Sequence, residues 1–297
     1  MRVVGSWLVM SWLLCGCQSA PLVIDDNRSR EQLHALLWLQ TSPEYRAAAE
    51  QTYSAATTRL PLLLKAATSA DEFQQAGDTA LAGKPPAIIM DLDETVLDNS
   101  AYNAMLVQQH QDYNADNWLQ WVLAQQAGAT PGALQFIKAA RQLGYRVVFI
   151  SNRSCNGRGG YSAVGEALDC PQKAATLANL GKLLGYAPAA DEVLLRGEQT
   201  AWRRSDKSLR RQAVAAQYRI AMLVGDNLED FIALTAYDAK VHGRHWGQDW
   251  FVLPNPVYGS WTAKPDNQEM NVQEKCAALT AWQYPSRAAG TCYVTSK

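Results

Sequence analysis

Net charge is the first thing this sequence lacks. Its 297 residues carry 27 lysines and arginines against 28 aspartates and glutamates, a formal charge of −1. So balanced a charge argues against a dedicated binder of polymeric nucleic acid, which would carry a basic stripe, and leaves no net field strong enough to steer ligands by itself. Internal repeats and low-complexity tracts are absent as well. Histidine is scarce: His34, His110, His242 and His245 are scattered, and no Cys-x-x-Cys pair or histidine pair at ligand spacing accompanies the cysteines, so a zinc site is poorly supported. Disorder is excluded by composition, because 48% of the residues are hydrophobic. A chain of this length makes one large domain, or a core with a smaller accessory domain. Tryptophan and tyrosine, by contrast, are plentiful at ten and twelve.

The N-terminus reads as a leader. Residues 1–16 begin Met-Arg and continue with an apolar run of about a dozen residues, too short to span a ~30 Å hydrocarbon layer comfortably. Leu14-Cys15-Gly16-Cys17 resembles a bacterial lipobox, in which Cys17 would be acylated and become N-terminal; an ordinary secretory signal is the alternative. Gln18, in place of Asp, points to the outer membrane by analogy with lipoprotein sorting, and residues 17–27 would form a lipidated tether. The expected location is therefore the cell envelope, with membrane contact through the lipid anchor only. An exported chain meets oxidising conditions, and Cys155, Cys170, Cys276 and Cys292 remain to form disulfides. The simplest pairing is local, Cys155–Cys170 and Cys276–Cys292, each worth roughly 3 kcal/mol, although four cysteines allow three pairings.

Residues 28–82 read as helical. Asn27 or Ser29 can cap the start, and Ser42-Pro43-Glu44 is a second start signal: a cap, Pro at the first helical position and an acid in the first turn. Pro61 could bend the Ala-rich stretch that follows. Gly83-Lys84-Pro85-Pro86 closes the region. Short apolar runs then alternate with helical patterns. The runs are 87–92, 145–150, 192–195 and 220–224; the helices start at Pro131-Gly132 and cover about 171–184 and 208–217. The rhythm predicts a doubly wound parallel α/β sheet, with ligands at the carboxyl ends of its strands. Residues 98–130, polar and Trp-rich, are too long for a connection and read as an inserted cap. The predicted division is a helical cap from 28–85 and 98–131, and a core from 86–97 and 132–297 that includes a disulfide-stapled C-terminal extension.

Three predicted strands end in polar strings: Asp91-Leu92-Asp93-Glu94-Thr95, Ser151-Asn152-Arg153 and Gly225-Asp226-Asn227-Leu228-Glu229-Asp230. In a parallel sheet these ends lie side by side, crowding carboxylates that repel unless a cation sits among them. Oxygen-only donors suit a hard ion, with Mg²⁺ the default. D-x-D-x-T alone is moderately specific; the three strings in this order are strongly so.

These strings resemble the motifs of the haloacid dehalogenase superfamily. The first, second and fourth motifs match at Asp91–Thr95, Ser151, and Gly225-Asp226 with Asp230. The third requires a lysine, for which Lys207 is best placed, with Lys173 and Lys182 as fallbacks. The longer strings Asp91–Asn99, Ser151–Arg153, Gly225–Phe231 and Pro254-Asn255-Pro256-Val257-Tyr258-Gly259-Ser260-Trp261 narrow the likeness to class C acid phosphatases, bacterial lipoproteins that dephosphorylate 5′-nucleotides and other monoesters. The resemblance runs from about residue 28 to 262. The Gly-rich Cys155–Cys170 segment and the tail after Thr262 depart from it.

The resemblance implies a haloacid dehalogenase-like core and a Mg²⁺-dependent phosphomonoesterase acting on small substrates. The metal would be held by the Asp91 and Asp226 carboxylates and the Asp93 carbonyl, with Asp230 ordering a water or an outer contact. Lys207, the Ser151 hydroxyl and N–H groups near Asn152 would take phosphoryl oxygens. Asp91 would be the nucleophile and Asp93 the general acid/base, with an acidic optimum. Tyr102, Tyr258 and Trp261 are candidate substrate contacts, while Trp118 and Trp121 read more readily as core. Rival readings are a broad phosphomonoesterase or phosphotransferase without nucleotide preference, and a non-catalytic surface lipoprotein. A homo-oligomer is compatible with either.

Overall fold

The computed structural model describes residues 31–66, 68–71, 81, 83–155, 170–263 and 270–279. The leader, the tether with Cys17, the caps at Asn27 and Ser29, and Cys292 lie outside the described residues, as does the Cys276 side chain. Residues 27–271 form one unit, and 272–297 with 1–26 form another. Within the second, Val272–Ala277 is a short helix.

Two helices open the larger unit, α1 (Leu33–Thr41) and α2 (Pro43–Lys65). Ser42 separates them in an extended conformation, and its hydroxyl accepts the Tyr45 N–H at 3.0 Å while Pro43 occupies the first turn. Pro61 does not end α2, which continues to Lys65.

The alternating pattern then follows: β1 (Pro86–Met90), β2 (Leu97–Asp98), α3 (Ser100–Gln108), α4 (Ala115–Ala124), β3 (Gly128–Ala129), α5 (Ala133–Gln142), β4 (Arg146–Ser154), α6 (Pro171–Leu184), β5 (Val193–Arg196), α7 (Ser208–Gln217), β6 (Arg219–Gly225), α8 (Ala239–His242) and β7 (Trp250–Val252). Five strands form one sheet in the order β5-β4-β1-β6-β7, every pair parallel. The chain runs outward from β1 in one direction and then in the other. The crevice at the carboxyl end of β1 is therefore the switch point where a doubly wound sheet binds ligands.

Residues along β1 and β4 alternate between two cores. Ile88, Met90, Val147 and Phe149 pack with α2, α5 and α6 through Tyr53, Phe136 and Leu180. Ala87, Ile89, Val148 and Ile150 pack on the other face with Val214 of α7, Phe231 and Trp250. A sheet buried on both sides explains the uninterrupted apolar runs of its strands. A third, smaller cluster joins Leu36 and Leu39 of α1 to Tyr45 and Val257. The 98–130 insertion is pinched at its base, where β2 and β3 pair antiparallel, Leu97 opposite Ala129 and Asp98 opposite Gly128.

Among the described residues, no helix is long and apolar enough to cross a membrane. Cys155 and Cys170 are joined in a disulfide, with their Cα atoms 4.6 Å apart. The second local pairing lies outside the described residues.

Candidate active site

The site begins where β1 stops. Asp91 N–H still donates to the Val224 carbonyl at 2.9 Å, so its carboxylate emerges at the sheet edge beside β6. The chain then turns back at once: the Leu92 carbonyl accepts N–H groups from Val96 at 2.8 Å and Leu97 at 2.7 Å, with Glu94 in the left-handed region at φ 60°. The turn sends Asp93 toward β4 and Thr95 toward β6.

On the β6 side the acids converge. Ligand oxygens of Asp91, Asp226 and Asp230 lie within 4.8 Å of one another. The buried Lys207 ammonium donates to Asp91 Oδ1 and, at 2.6 Å, to Asp230 Oδ1. The other Asp230 oxygen accepts the N–H groups of Asp226 and Asn227, at 3.1 and 2.9 Å. Asp226 accepts from Thr95 Oγ1 at 3.0 Å and from Asn255 Nδ2 at 2.8 Å.

One ammonium among three carboxylates leaves negative charge in excess. Burial pushes the Asp91 carboxyl well above the ordinary range, and Lys207 does not offset it because Asp230, Asp226 and Asp93 add repulsion. Burial, followed by repulsion from Asp230, pushes Asp226 up to about 7. Burial alone would lower Lys207, but Asp230 and Asp91 outweigh it and hold the ammonium charged. An all-oxygen cluster short of positive charge fits a hard divalent cation, with Asp91, Asp226 and Asp230 as its holders.

On the β4 side Asp93 is gripped by four donors. Arg153 Nε and Nη2 reach Oδ1 at 3.0 and 2.8 Å, and Asn99 Nδ2 reaches the same oxygen at 2.9 Å. Oδ2 is held more loosely, by Arg153 Nε and Ser151 Oγ, each at 3.2 Å. Arg153 is itself fixed by Thr176 Oγ1 at 2.9 Å, and its guanidinium lies 5.6 Å from the Trp118 ring centre. Asn99 Oδ1 accepts from Trp121 Nε1 at 2.8 Å, which ties Asp93 to α4 of the insertion. Glu94 is buried beneath this network, and one of its oxygens accepts the Asn99 N–H at 3.1 Å. Burial, with repulsion from Asp93 and Asp226, pushes the Glu94 carboxyl well above its usual range.

Two consecutive arginines of α7 brace the loops from behind. Arg210 donates to the Ser151 carbonyl and Asn152 Oδ1, both at 2.6 Å, and to the Ser205 carbonyl at 3.0 Å, linking the end of β4 to the loop carrying Lys207. Arg211 pairs with the buried Asp71 at 3.1 Å and donates to the Glu229 carbonyl at 3.1 Å, which steadies the loop of Asp230.

A cavity of about 660 Å³ opens over these groups. Asp91, Asp93, Asn152, Lys207, Asp226, Asp230, Tyr102 and Tyr258 line it, as the sequence reading expects. Ser151 is fully buried, its hydroxyl bonded to Asp93 and accepting the Arg153 N–H at 3.0 Å, so it faces the general acid/base candidate and does not line the cavity. Trp261 is 59% exposed on the 3₁₀ turn Ser260–Thr262 and is not part of the wall. The tryptophans of α4 divide: Trp121 packs against the core, whereas Trp118 lines the cavity, edge-on to Tyr102 at 5.0 Å. Lys173 is paired with Glu198, and Lys182 is exposed, which leaves Lys207 as the lysine of the site.

Roles for Arg153, Thr95, Asn99 and Asn255 are not assigned by the sequence reading, although all four lie inside the strings that carry the resemblance. Arg210, Arg211 and Thr176 lie outside those strings. Two arginines on a helix surface ordinarily read as solvated, and only their burial reveals otherwise.

Known proteins share this fold. The structure is similar to that of the class C acid phosphatase from Bacillus anthracis, with 27% sequence identity and a TM-score of 0.65 over 86% of this chain and 100% of that one. The same enzyme with tungstate bound matches at 28% identity, TM-score 0.63 and the same coverage. Residues 25–261 match the family model described as HAD superfamily, subfamily IIIB (acid phosphatase). With the parallel sheet, the acidic strand ends and the buried lysine in place, the chain belongs to the subfamily IIIB acid phosphatases of the HAD superfamily, enzymes that hydrolyse phosphate monoesters.

Proposed function

We propose that this acid phosphatase is an exported, Cys17-anchored enzyme that uses Mg²⁺ and hydrolyses 5′-nucleotides through an aspartyl-phosphate on Asp91. The observation that carries the reading is the meeting of Asp91, Asp226, Asp230 and Lys207 at the floor of one cavity whose walls include Tyr102, Trp118 and Tyr258.

The chemistry follows from charge. A phosphomonoester dianion cannot approach a cluster of carboxylates until their charge is neutralised. Bound Mg²⁺ would supply that positive charge between the carboxylates and the phosphoryl oxygens. Lys207, buried and held charged, adds a second cation beside Asp91, and N–H groups near Asn152 would take a further oxygen. Asp91 attacks phosphorus, the bond to the leaving oxygen breaks, and Asp93 delivers a proton to that oxygen. Asp93 then takes a proton from the water that releases phosphate. Its Oδ2, with two long contacts, is the oxygen able to exchange a partner for the substrate. A base lying among the cavity aromatics would gain about 1–3 kcal/mol by stacking without being read, giving a nucleotidase tolerant of different bases. The tungstate carried by the Bacillus anthracis enzyme, a tetrahedral oxyanion like phosphate, is consistent with an oxyanion cradle in this family.

The test is a substrate panel of 5′- and 3′-nucleotides, sugar phosphates and p-nitrophenyl phosphate, run with Mg²⁺ and with EDTA. Turnover of 5′-nucleotides should lead the panel and vanish on chelation, and Asp91→Asn should be inactive throughout. Tyr258→Ala should raise KM for a nucleotide much more than for p-nitrophenyl phosphate. Hydrolysis that survives EDTA would eliminate the metal, and equal effects of Tyr258→Ala on both substrates would eliminate stacking.

A further inference from the structure

Three cations line the cavity, and two are already matched: Lys207 by Asp91 and Asp230, Arg153 by Asp93. The third, Arg196, stands at the carboxyl end of β5, in register with Ser154 of β4, and its carbonyl accepts the Cys155 N–H at 2.9 Å. Among the described residues no carboxylate lies within ion-pair distance of its guanidinium. Asp112 and Glu229, the other acids of the wall, do not pair with it.

Its surroundings add positive charge. The Arg210 side chain lies close behind, donates to backbone carbonyls and to Asn152 Oδ1, and has no carboxylate in ion-pair contact among the described residues. Burial, and after it the Arg196 charge among nearby groups, holds Arg210 down at about 10. The Arg196 charge also opposes the upward push of burial on the Tyr113 phenol, another group of the cavity wall. Because Arg210 occupies the Asn152 carbonyl oxygen, the Asn152 amide hydrogens are left as donors on the same wall. A guanidinium unmatched among the described residues and a fixed amide, both lining a cavity several times larger than one phosphoryl group, have the chemistry of an oxyanion contact.

We propose that Arg196, with the Asn152 amide, selects phosphomonoesters whose leaving group carries a second oxyanion, a carboxylate or a further phosphate. The inference deepens the phosphomonoesterase reading of this cavity and rests on it. Arg196 is a specificity residue. It meets the leaving group, while the transferred phosphoryl stays with Lys207 and the Asp91 carboxylate.

Two matched pairs of probes isolate the charge. 3-Phosphoglycerate and glycerol 3-phosphate differ by a carboxylate against a hydroxymethyl group; adenosine 3′,5′-bisphosphate and 5′-AMP differ by a phosphate. The wild-type enzyme should favour the more anionic member in kcat/KM for at least one pair, and the pair that responds identifies the oxyanion. Arg196→Gln should cut kcat/KM for that member by about 10- to 100-fold, the range for a hydrogen bond to a charged group, and should leave its neutral partner within about threefold. An unchanged Tm would show that the variant folds. Turnover of all four probes with no charge preference, or equal losses in both members of a pair, would overturn the inference and leave the phosphatase reading intact. Failure of the wild type to hydrolyse any of the four with Mg²⁺ present would overturn both.

Discussion

Asp93 keeps its place through the Nε and Nη2 hydrogen bonds of Arg153 that converge on its Oδ1, and that pair of donors depends on a planar fork that lysine does not have. Arg153→Lys preserves the charge but loses the fork and the contact to Thr176. Arg153→Ala removes both and leaves Asn99 and Ser151 as the holders of Asp93. Rates set by a positioned proton donor change by about 10²- to 10⁴-fold when the donor is lost. Arg153→Ala should therefore lower kcat toward the Asp93→Asn value within that range, and Arg153→Lys should fall between it and wild type. The diagnostic is leaving-group sensitivity: the loss should be large for an alkyl phosphate and small for p-nitrophenyl phosphate, whose leaving oxygen needs little protonation. A uniform loss across both would mean that Arg153 acts on the fold and not on Asp93.

At the scale of elements, the end of β6 shows why its last residue is glycine. A Cβ built on Gly225 would lie 2.3–2.6 Å from the Asp230 carboxylate and Cβ, far inside contact distance. Asp230 cannot yield without giving up Lys207 and the two N–H groups it accepts. Gly225→Ala should cost about 1–3 kcal/mol by overpacking, read as a lower denaturation midpoint, and should weaken Mg²⁺ activation at least tenfold. A variant with wild-type Mg²⁺ dependence would show that Asp230 plays no part in holding the ion. The strand ends were legible in the sequence because β1, β4 and β6 are buried on both faces and therefore read as apolar runs followed by abrupt polarity. Helices α5 and α6 were legible through Pro at or near their starts, and α7 through its apolar spacing. β7 was not, because three residues after Asp249 carry no period and become a strand only by pairing with β6. The β2–β3 ribbon, two residues on each side, falls below any periodic signal. Trp118 and Trp121 share a helix and a spacing, so only the tertiary contacts of α4 decide that one faces the cavity and the other the core.

For the molecule as a whole, the acid cluster links stability to pH and to metal. Asp226 is raised from 3.8 to about 7, and Asp91 is raised as well, so between those limits the folded chain binds protons that the unfolded chain has released. Stability without metal therefore declines as pH rises through that window. A divalent ion replaces those protons, so its stabilising effect should grow over the same interval. Thermal unfolding in EDTA should give a lower Tm at pH 7.5 than at pH 5. Added Mg²⁺ should raise Tm clearly at pH 7.5 and little at pH 5. An Mg²⁺ increment independent of pH would separate the metal from these carboxylates.

The bridge between Cys155 and Cys170 brings the two ends of residues 156–169 to within 4.6 Å at the Cα atoms. The polypeptide thus leaves the sheet after β4 and enters α6 at nearly one point, with the covalent link joining the two. Whatever is spliced between the two cysteines, longer, shorter or unrelated in composition, leaves β4 and α6 in the same relation to each other. The same link holds the end of β4, and Arg153 with it, against the start of α6, the helix whose Thr176 completes the grip on that guanidinium.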